Sequence, residues 1–432
     1  LILLIILIFS SCSVNQNSSS TPESDGMLNP LLESDEQVLT PSPPGIAFKN
    51  DQTSAQAEMV YDDKNPRPRY MPGELVDYIA QSGDILSALA ARFNTSEQEI
   101  RDANPIIPPD ATTLPAGFPM KIPIYYKSQW GSSFQIISDA MFVNSPAQIG
   151  FNARSFVDRQ PGWYKYFTAY TGEKNRRGGE MVDFIATSYS LSPRLLLAII
   201  EFQTGALSQK IRPENINNSA VLGFEGRDSK TLSSQINRLA NYLNQMYYEF
   251  REGKQLEFEL QDGSLFRVDP WQNASTAALQ HYFAKTLSAE NFYKAISLDG
   301  FIKTYENLFG KIPQELMGGN IPGSLRQPQF LLPFEDGKSW AFTGGPHAAW
   351  GDNQPYAALD FAPPSESSGC VYSDQWVLAP ADGIIVRTET GVAVLDLDGD
   401  SDERTGWNLL FLHLLTDSIP PTGTRLRAGD RI

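Results

Sequence analysis

Between residues 75 and 124, apolar positions change their rhythm three times. Val76-Asp77-Tyr78-Ile79-Ala80 alternates and predicts a short strand. Leu86, Leu89, Ala90 and Phe93 then share one helix face, with Asp84 placed as the expected cap. Ser96 and Glu99 have capping-box spacing for a second helix that stops near Asn104-Pro105. Phe118-Pro119-Met120-Lys121-Ile122-Pro123 closes the unit as a second strand. The order is strand, helix, helix, strand.

Residues 135–322 carry helical periodicity instead. Ser192 and Pro193 open a helix whose core, Leu195 through Ile200, is apolar all round and therefore buried, and Gly205 closes it. A second helix places Ile236, Leu239, Leu243 and Met246 on one face. A third starts near Ala274 and includes His281, read as structural. From residue 328 the texture is β again. Gly383-Ile384-Ile385-Val386-Arg387 and Trp407-Asn408-Leu409-Leu410-Phe411-Leu412 read as strands of an antiparallel sheet, with Ala381-Asp382-Gly383 as a tight turn.

Residues 13–70 lack this patterning. They are rich in Ser, Pro, Asn, Asp and Glu, and Thr40-Pro41-Ser42-Pro43-Pro44-Gly45 suits neither helix nor central strand. They bury too little apolar surface to offset ordering, so a flexible tether is expected. Before them, residues 1–9 form an apolar run too short for a membrane-spanning helix, read as the core of a secretory signal.

The chain has 432 residues, enough for about three domains, and a net charge of −16. That charge argues against nucleic acid or anionic lipid as a partner. The sequence begins at Leu1 and stops soon after its last histidine, so a fragment of a longer protein is expected.

The unit at 71–126 resembles the LysM domain, through Tyr78, Gly83-Asp84-Ile85-Leu86, Ala90, Phe93, Ile100, Ala103-Asn104-Pro105, Leu114, Gly117 and Ile122-Pro123. The resemblance implies binding of N-acetylglucosamine-containing glycans such as peptidoglycan. It puts the binding groove between Gly83, Asp84, Ile85 and Leu86 on one loop and Asn104, Ile106 and Ile107 on the other. A bare Gly83 would let backbone approach the sugar.

Residues 328–432 contain Gly344-Gly345-Pro346-His347, Leu359-Asp360-Phe361 and Leu412-His413-Leu414. They resemble the lysostaphin-type peptidoglycan endopeptidases, in the β-lytic and staphylolytic branch. The resemblance implies an antiparallel β peptidase domain, here incomplete, with Zn2+ held by His347 and Asp360. His413 would handle protons or hold the developing oxyanion, and stem or cross-bridge peptides would be substrates. A catalytic zinc needs three protein ligands and an open position. The chain's three histidines are His281, His347 and His413, so the third ligand is expected beyond Ile432.

Ser10-Ser11-Cys12 after the apolar run resembles a bacterial lipoprotein signal, which implies a lipid on Cys12 and a membrane attachment. Cys370 is then left over, either a buried thiol or paired beyond the chain end. Leu191 through Gly205 resembles the start of lysozyme-like lytic transglycosylases. Gln203-Thr204-Gly205 stands where that family has its acidic Glu-Ser-Gly, so the expectation is either a degenerate, non-catalytic relative or a helical spacer whose apolar helices simply form a core. The acidic run at 396–403 has alternating carboxylates that suit calcium, but its spacing departs from the EF-hand loop, and a solvated hairpin loop is expected.

The expectation is a multidomain chain: signal at 1–12, linker at 13–70, a small βααβ LysM unit, a mostly α middle unit, and part of a β peptidase. The leading function is a lipid-anchored cell-wall hydrolase. The alternatives are a non-catalytic envelope factor that binds peptidoglycan and regulates other wall hydrolases, and an adhesive wall-binding scaffold.

Overall fold

The computed structural model describes residues 2–8, 70–127, 129–214, 220–226, 231–317, 319, 321, 325–348, 355–365 and 371–432. The expected tether, Cys12 and Cys370 lie outside the described residues. The first strand, β1 (Ile2–Ile8), finds its partners at the far end of the chain.

The unit at 71–126 has β2 (Glu74–Ile79), α1 (Leu86–Phe93), α2 (Glu97–Ala103) and β3 (Pro119–Ile124) in the expected order. β2 and β3 pair antiparallel, Glu74 opposite Ile124 and Ile79 opposite Pro119. Alternation turns Val76 and Tyr78 inward onto Leu86, Leu89, Phe93 and Ile100. The capping box forms: Ser96 Oγ accepts from Glu99 N at 3.2 Å, and Glu99 Oε2 accepts from Ser96 N at 3.0 Å. Hydrogen bonds from Tyr125, Ser96 and Thr95 pull the Glu99 carboxyl down to about 2. The expected cap of α1 does not form. Ile85 holds the N-cap position with no side-chain bond, because Asp84 is drawn inward to a buried arginine described below.

The middle unit holds α3 (Asp139–Phe142), α4 (Ala153–Asp158), a hairpin of β4 (Thr168–Thr171) and β5 (Lys174–Arg177), α5 (Gly178–Tyr189), α6 (Pro193–Thr204) and α7 (Leu232–Arg251). A second hairpin follows, β6 (Glu257–Glu259) and β7 (Leu265–Arg267), then α8 (Ala274–Thr286), α9 (Ala289–Ala295) and α10 (Phe301–Phe309). α6 begins and ends as its sequence dictates. Ser192 Oγ accepts from Leu195 N, Pro193 occupies the first turn, and Gly205 takes the left-handed conformation at φ 61°. Leu195 through Ile200 have no solvent exposure and centre the core.

The C-terminal sheet contains β8 (Ala341–His347), β9 (Ala358–Ala362), β10 (Gly383–Glu389), β11 (Val392–Asp396), β12 (Trp407–Leu412) and β13 (Arg425–Leu426). Its order is β13-β10-β11-β12-β1-β9-β8. Every pairing is antiparallel except those of β1, which runs parallel to both β12 and β9. This departs from the reading of residues 1–9 as a leader. A short apolar run satisfies a central strand as readily as a signal core, and composition does not separate the two. Each residue of β12 is buried, as a strand covered on both faces requires.

Candidate functional site

The unit at 71–126 and the sheet present two separate sets of candidate side chains. In that unit, Asp84 accepts hydrogen bonds from Tyr78 Oη at 2.6 Å, Gln81 N at 2.7 Å and Arg92 Nη1 at 3.0 Å. Burial drives the Tyr78 phenol pKa up, and the Asp84 carboxylate adds to the rise against the opposing pull of Arg92. Arg92 also donates to Pro270 O at 3.0 Å through Nε and to Gln272 O at 2.9 Å through Nη2. Trp271 completes the joint, donating from Nε1 to Asp77 O and packing edge-on against Phe93 at 5.0 Å. The unit is therefore bolted to the segment between β7 and α8.

This joint changes the meaning of the expected glycan-binding residues. Gly83 has φ +82°, and a Cβ there would sit 1.1 Å from Arg251 Nη2, so the arginine, not a sugar, lies against the bare glycine. Leu86 and Ile107 are core residues. Asn104 staples α2 to β3, donating to Ile100 O and Lys121 O and accepting from Lys121 N. Of the seven expected residues, Ile106 is the open one, 77% exposed, while Ile85 is half-buried and bridged to Thr113.

In the sheet, His347 ends β8 and Asp360 sits in β9, and the antiparallel register brings them together across a bulge. His347 Nε2 lies 2.8 Å from Asp360 Oδ2, while its Nδ1 lies 2.8 Å from Ala348 O. Gly344 allows this closeness: a Cβ there would come within 2.8 Å of Asp360 Oδ2. Burial by itself lowers the His347 pKa. The bonds to Ala348 O and Asp360 outweigh it, so the imidazole stays protonated to higher pH than usual.

Two features fit a cation. Asp360 is buried, and its Oδ1 has no hydrogen-bond partner among the described residues. The Nδ1 contact to a carbonyl fixes Nε2 as the ligand nitrogen. His347 Nε2 and an Asp360 carboxylate oxygen are the atoms that would hold such an ion.

His413 follows β12 with φ +61°, a left-handed step that breaks the strand's alternation. β12 and β9 flank β1, which aligns Leu412 and Asp360 with the same residue, Leu7. They are thus two strand spacings apart, about 10 Å. Among the described residues, the two expected ligands meet, and His413, expected to handle protons, follows the strand on the far side of β1. Among the same residues, the group of three that converges as ligands is Asp396, Asp398 and Asp400.

In the middle unit, Glu201 Oε2 accepts from Leu207 N at 2.6 Å and ties down the turn after α6. Gln203 Nε2 reaches Tyr282 Oη at 3.3 Å and Thr286 Oγ1 at 3.4 Å. Both side chains at the end of α6 thus serve local structure.

Residues 78–123 match the LysM domain, and residues 135–320 match the N-terminal domain of LasA. Comparison with curated proteins and with solved structures gave no match. LasA is a staphylolytic peptidase family. The match covers the region whose α6 resembles lytic transglycosylases and gives it a peptidase-associated setting instead. LysM domains bind peptidoglycan glycans, and the two matches together indicate a cell-envelope or secreted protein. Among the described residues no helix is long and apolar enough to cross a membrane.

The sequence reading missed Arg92, Trp271 and Arg251. Arg92 gave one signal, a charge beside Phe93 on an otherwise apolar helix. Its partners are remote in sequence.

Proposed function

We propose that this chain is a peptidoglycan-binding envelope protein whose C-terminal sheet is built for zinc-dependent cleavage of wall peptides. The observation that carries the proposal is the His347–Asp360 pair, 2.8 Å apart, with an unpartnered buried oxygen on Asp360. The LasA match next to it in the chain supports a peptidase setting.

In this reading His347 Nε2 and an Asp360 oxygen hold the metal. Zinc, when bound, lowers the pKa of its water and polarises the peptide carbonyl. Ala348 O orients the His347 ring. His413 holds or delivers a proton near the scissile amide, a role that needs its ring brought nearer to Asp360 than β1 allows. The LysM unit raises the local concentration of wall peptide. Lipid on Cys12 would keep the protein at the membrane.

The separation of His413 from Asp360 favours one alternative, a wall-binding regulator without catalysis. The test is zinc content of the full-length gene product after dialysis against trace zinc, for wild type, His347→Ala and Asp360→Ala, with peptidoglycan pull-down in parallel. One zinc per chain, lost in both variants, is expected, together with cleavage of wall peptides by wild type alone. Equal zinc in the variants would sink the site assignment. Wall binding with no zinc in any form would leave the regulator standing.

A further inference from the structure

The hairpin between β11 and β12 crowds three carboxylates that form no ion pair among the described residues. Asp396, Asp398 and Asp400 each bring one oxygen within 4.8 Å of the others. Asp396 is fully buried, at 0% exposure. Two of the nearby arginines are committed elsewhere, Arg404 to Asp402 at 2.6 Å and Arg387 to Glu403 at 3.0 Å; Arg425 Nη1 lies over the loop, 3.9 Å from where a Cβ of Gly399 would stand. Among the described residues, neither these arginines nor any lysine forms an ion pair with the three aspartates. Their donors are Asp398 N and Ser401 N to Asp396, Asp400 N to Asp398, and Thr405 Oγ1 to Asp400.

A second observation comes from the neighbouring strand. Asn408 is also fully buried, at 0% exposure, and stands opposite Asp396 in the β11–β12 register. The next pair, Leu397 with Trp407, carries the backbone hydrogen bond, so Asp396 and Asn408 form the non-bonded kind of pair, with side chains at their closest. Asn408 Nδ2 donates to Glu403 O at 3.3 Å and Thr405 O at 2.8 Å, both carbonyls of this same loop. Its Oδ1, two bonds away on the same planar group, has no partner among the described residues. A buried acceptor without a donor, set against a carboxylate and enclosed by an acidic loop, is costly unless a cation fills the space.

We propose that this hairpin binds a calcium ion through Asp396, Asp398 and Asp400, with Asn408 Oδ1 as a further oxygen. The donor set is all oxygen, which excludes a preference for zinc, and a loop of this kind suits the flexible coordination of calcium better than the rigid octahedron of magnesium. Gly406 leaves room for the Asp398 carboxylate, since a Cβ there would run into Asp398 Oδ2.

The ion would also govern a seam. Arg404, on the same loop, donates to Gln148 O of the middle unit at 3.1 Å, and the cleft there is lined by Asn144, Asp183 and Pro193 on one side and Ser401 to Arg404 on the other. Calcium would hold the loop in the shape that makes this contact.

The experiment is calorimetric titration of CaCl2 into the chelator-stripped full chain. One saturable site is expected, with a Kd of about 10⁻⁴ to 10⁻³ M, the range of extracellular modules, and weaker binding of MgCl2. Asp398→Asn and Asp400→Asn change exposed side chains and should fold normally, and each should weaken binding at least about tenfold. His347→Ala should leave calcium binding unchanged, which separates this site from the proposed zinc site. Absence of saturable binding up to about 10 mM, or unaltered affinity in both asparagine variants, would overturn the proposal.

Discussion

Arg92 Nη1 lies 3.0 Å from Asp84 Oδ1, and both side chains are buried. A pair like this contributes little net stability as a unit, but losing one partner strands the other's charge. Arg92→Ala is therefore expected to destabilise the chain by about 3–5 kcal/mol. Urea unfolding followed by tryptophan fluorescence reads this directly, since Trp271 packs on the same joint. A loss under about 1 kcal/mol would show that the pair is not desolvated as described.

Of the expected glycan contacts, Ile106 is the open apolar one, while Leu86 and Ile107 are closed. Ile106→Ala should weaken peptidoglycan binding by about tenfold with an unchanged melting curve, as expected for an isoleucine buried only on binding. Leu86→Ala should instead cost about 2–5 kcal/mol of stability. A pull-down indifferent to Ile106→Ala would move the sugar contact elsewhere on the unit.

His281 is buried, bonds Gln255 O through Nε2 at 2.6 Å, and packs on Phe258. Burial is the first cause of its depressed pKa, about 4 against an ordinary 6.5. The folded state therefore binds fewer protons than the unfolded state between those values. Stability is intact above pH 6.5 and falls as pH drops toward 4, by about 3 kcal/mol in total. Denaturation midpoints measured across that window should show the decline, and His281→Gln should flatten it. Equal slopes would remove His281 as the cause.

Residues 2–8 cannot be both a cleaved leader and a strand of the mature sheet. Under the proposed lipid attachment, mass spectrometry of the exported protein should find an N-terminus at lipidated Cys12, and another strand must then lie between β9 and β12. Recovery of an intact peptide from residues 1–12 would retain β1 and end the lipid-anchor reading.

What the sequence made legible was local. The capping box at Ser96, the Ser-Pro start and glycine stop of α6, the apolar face of α7 and the start of α8 each rest on residues within a turn or two of one another. The hairpin loop at the acidic run was legible too, because alternating apolar strands flank it. What escaped was remote. Asp84 looks like a helix cap until Arg92 arrives across α1, and Gly83 looks like a sugar contact until Arg251 covers it from α7. The two small hairpins of the middle unit have strands of three or four residues, too short for a period to show. At the candidate metal site, the pairing of His347 with Asp360 followed from their motifs. The distance to His413 did not, since it depends on which strand lies between β9 and β12.

The Arg92–Trp271 joint bears on how such a protein would meet a wall. Two modules on a loose cord can touch their targets at many separations and angles. Here the LysM unit and the seam at Arg404 are each hydrogen-bonded to the same helical body. Under the proposed function, a glycan held by the first would set the heading of the sheet beyond the second, as in a caliper: wall strands at one spacing and one tilt would engage both ends, and others only one.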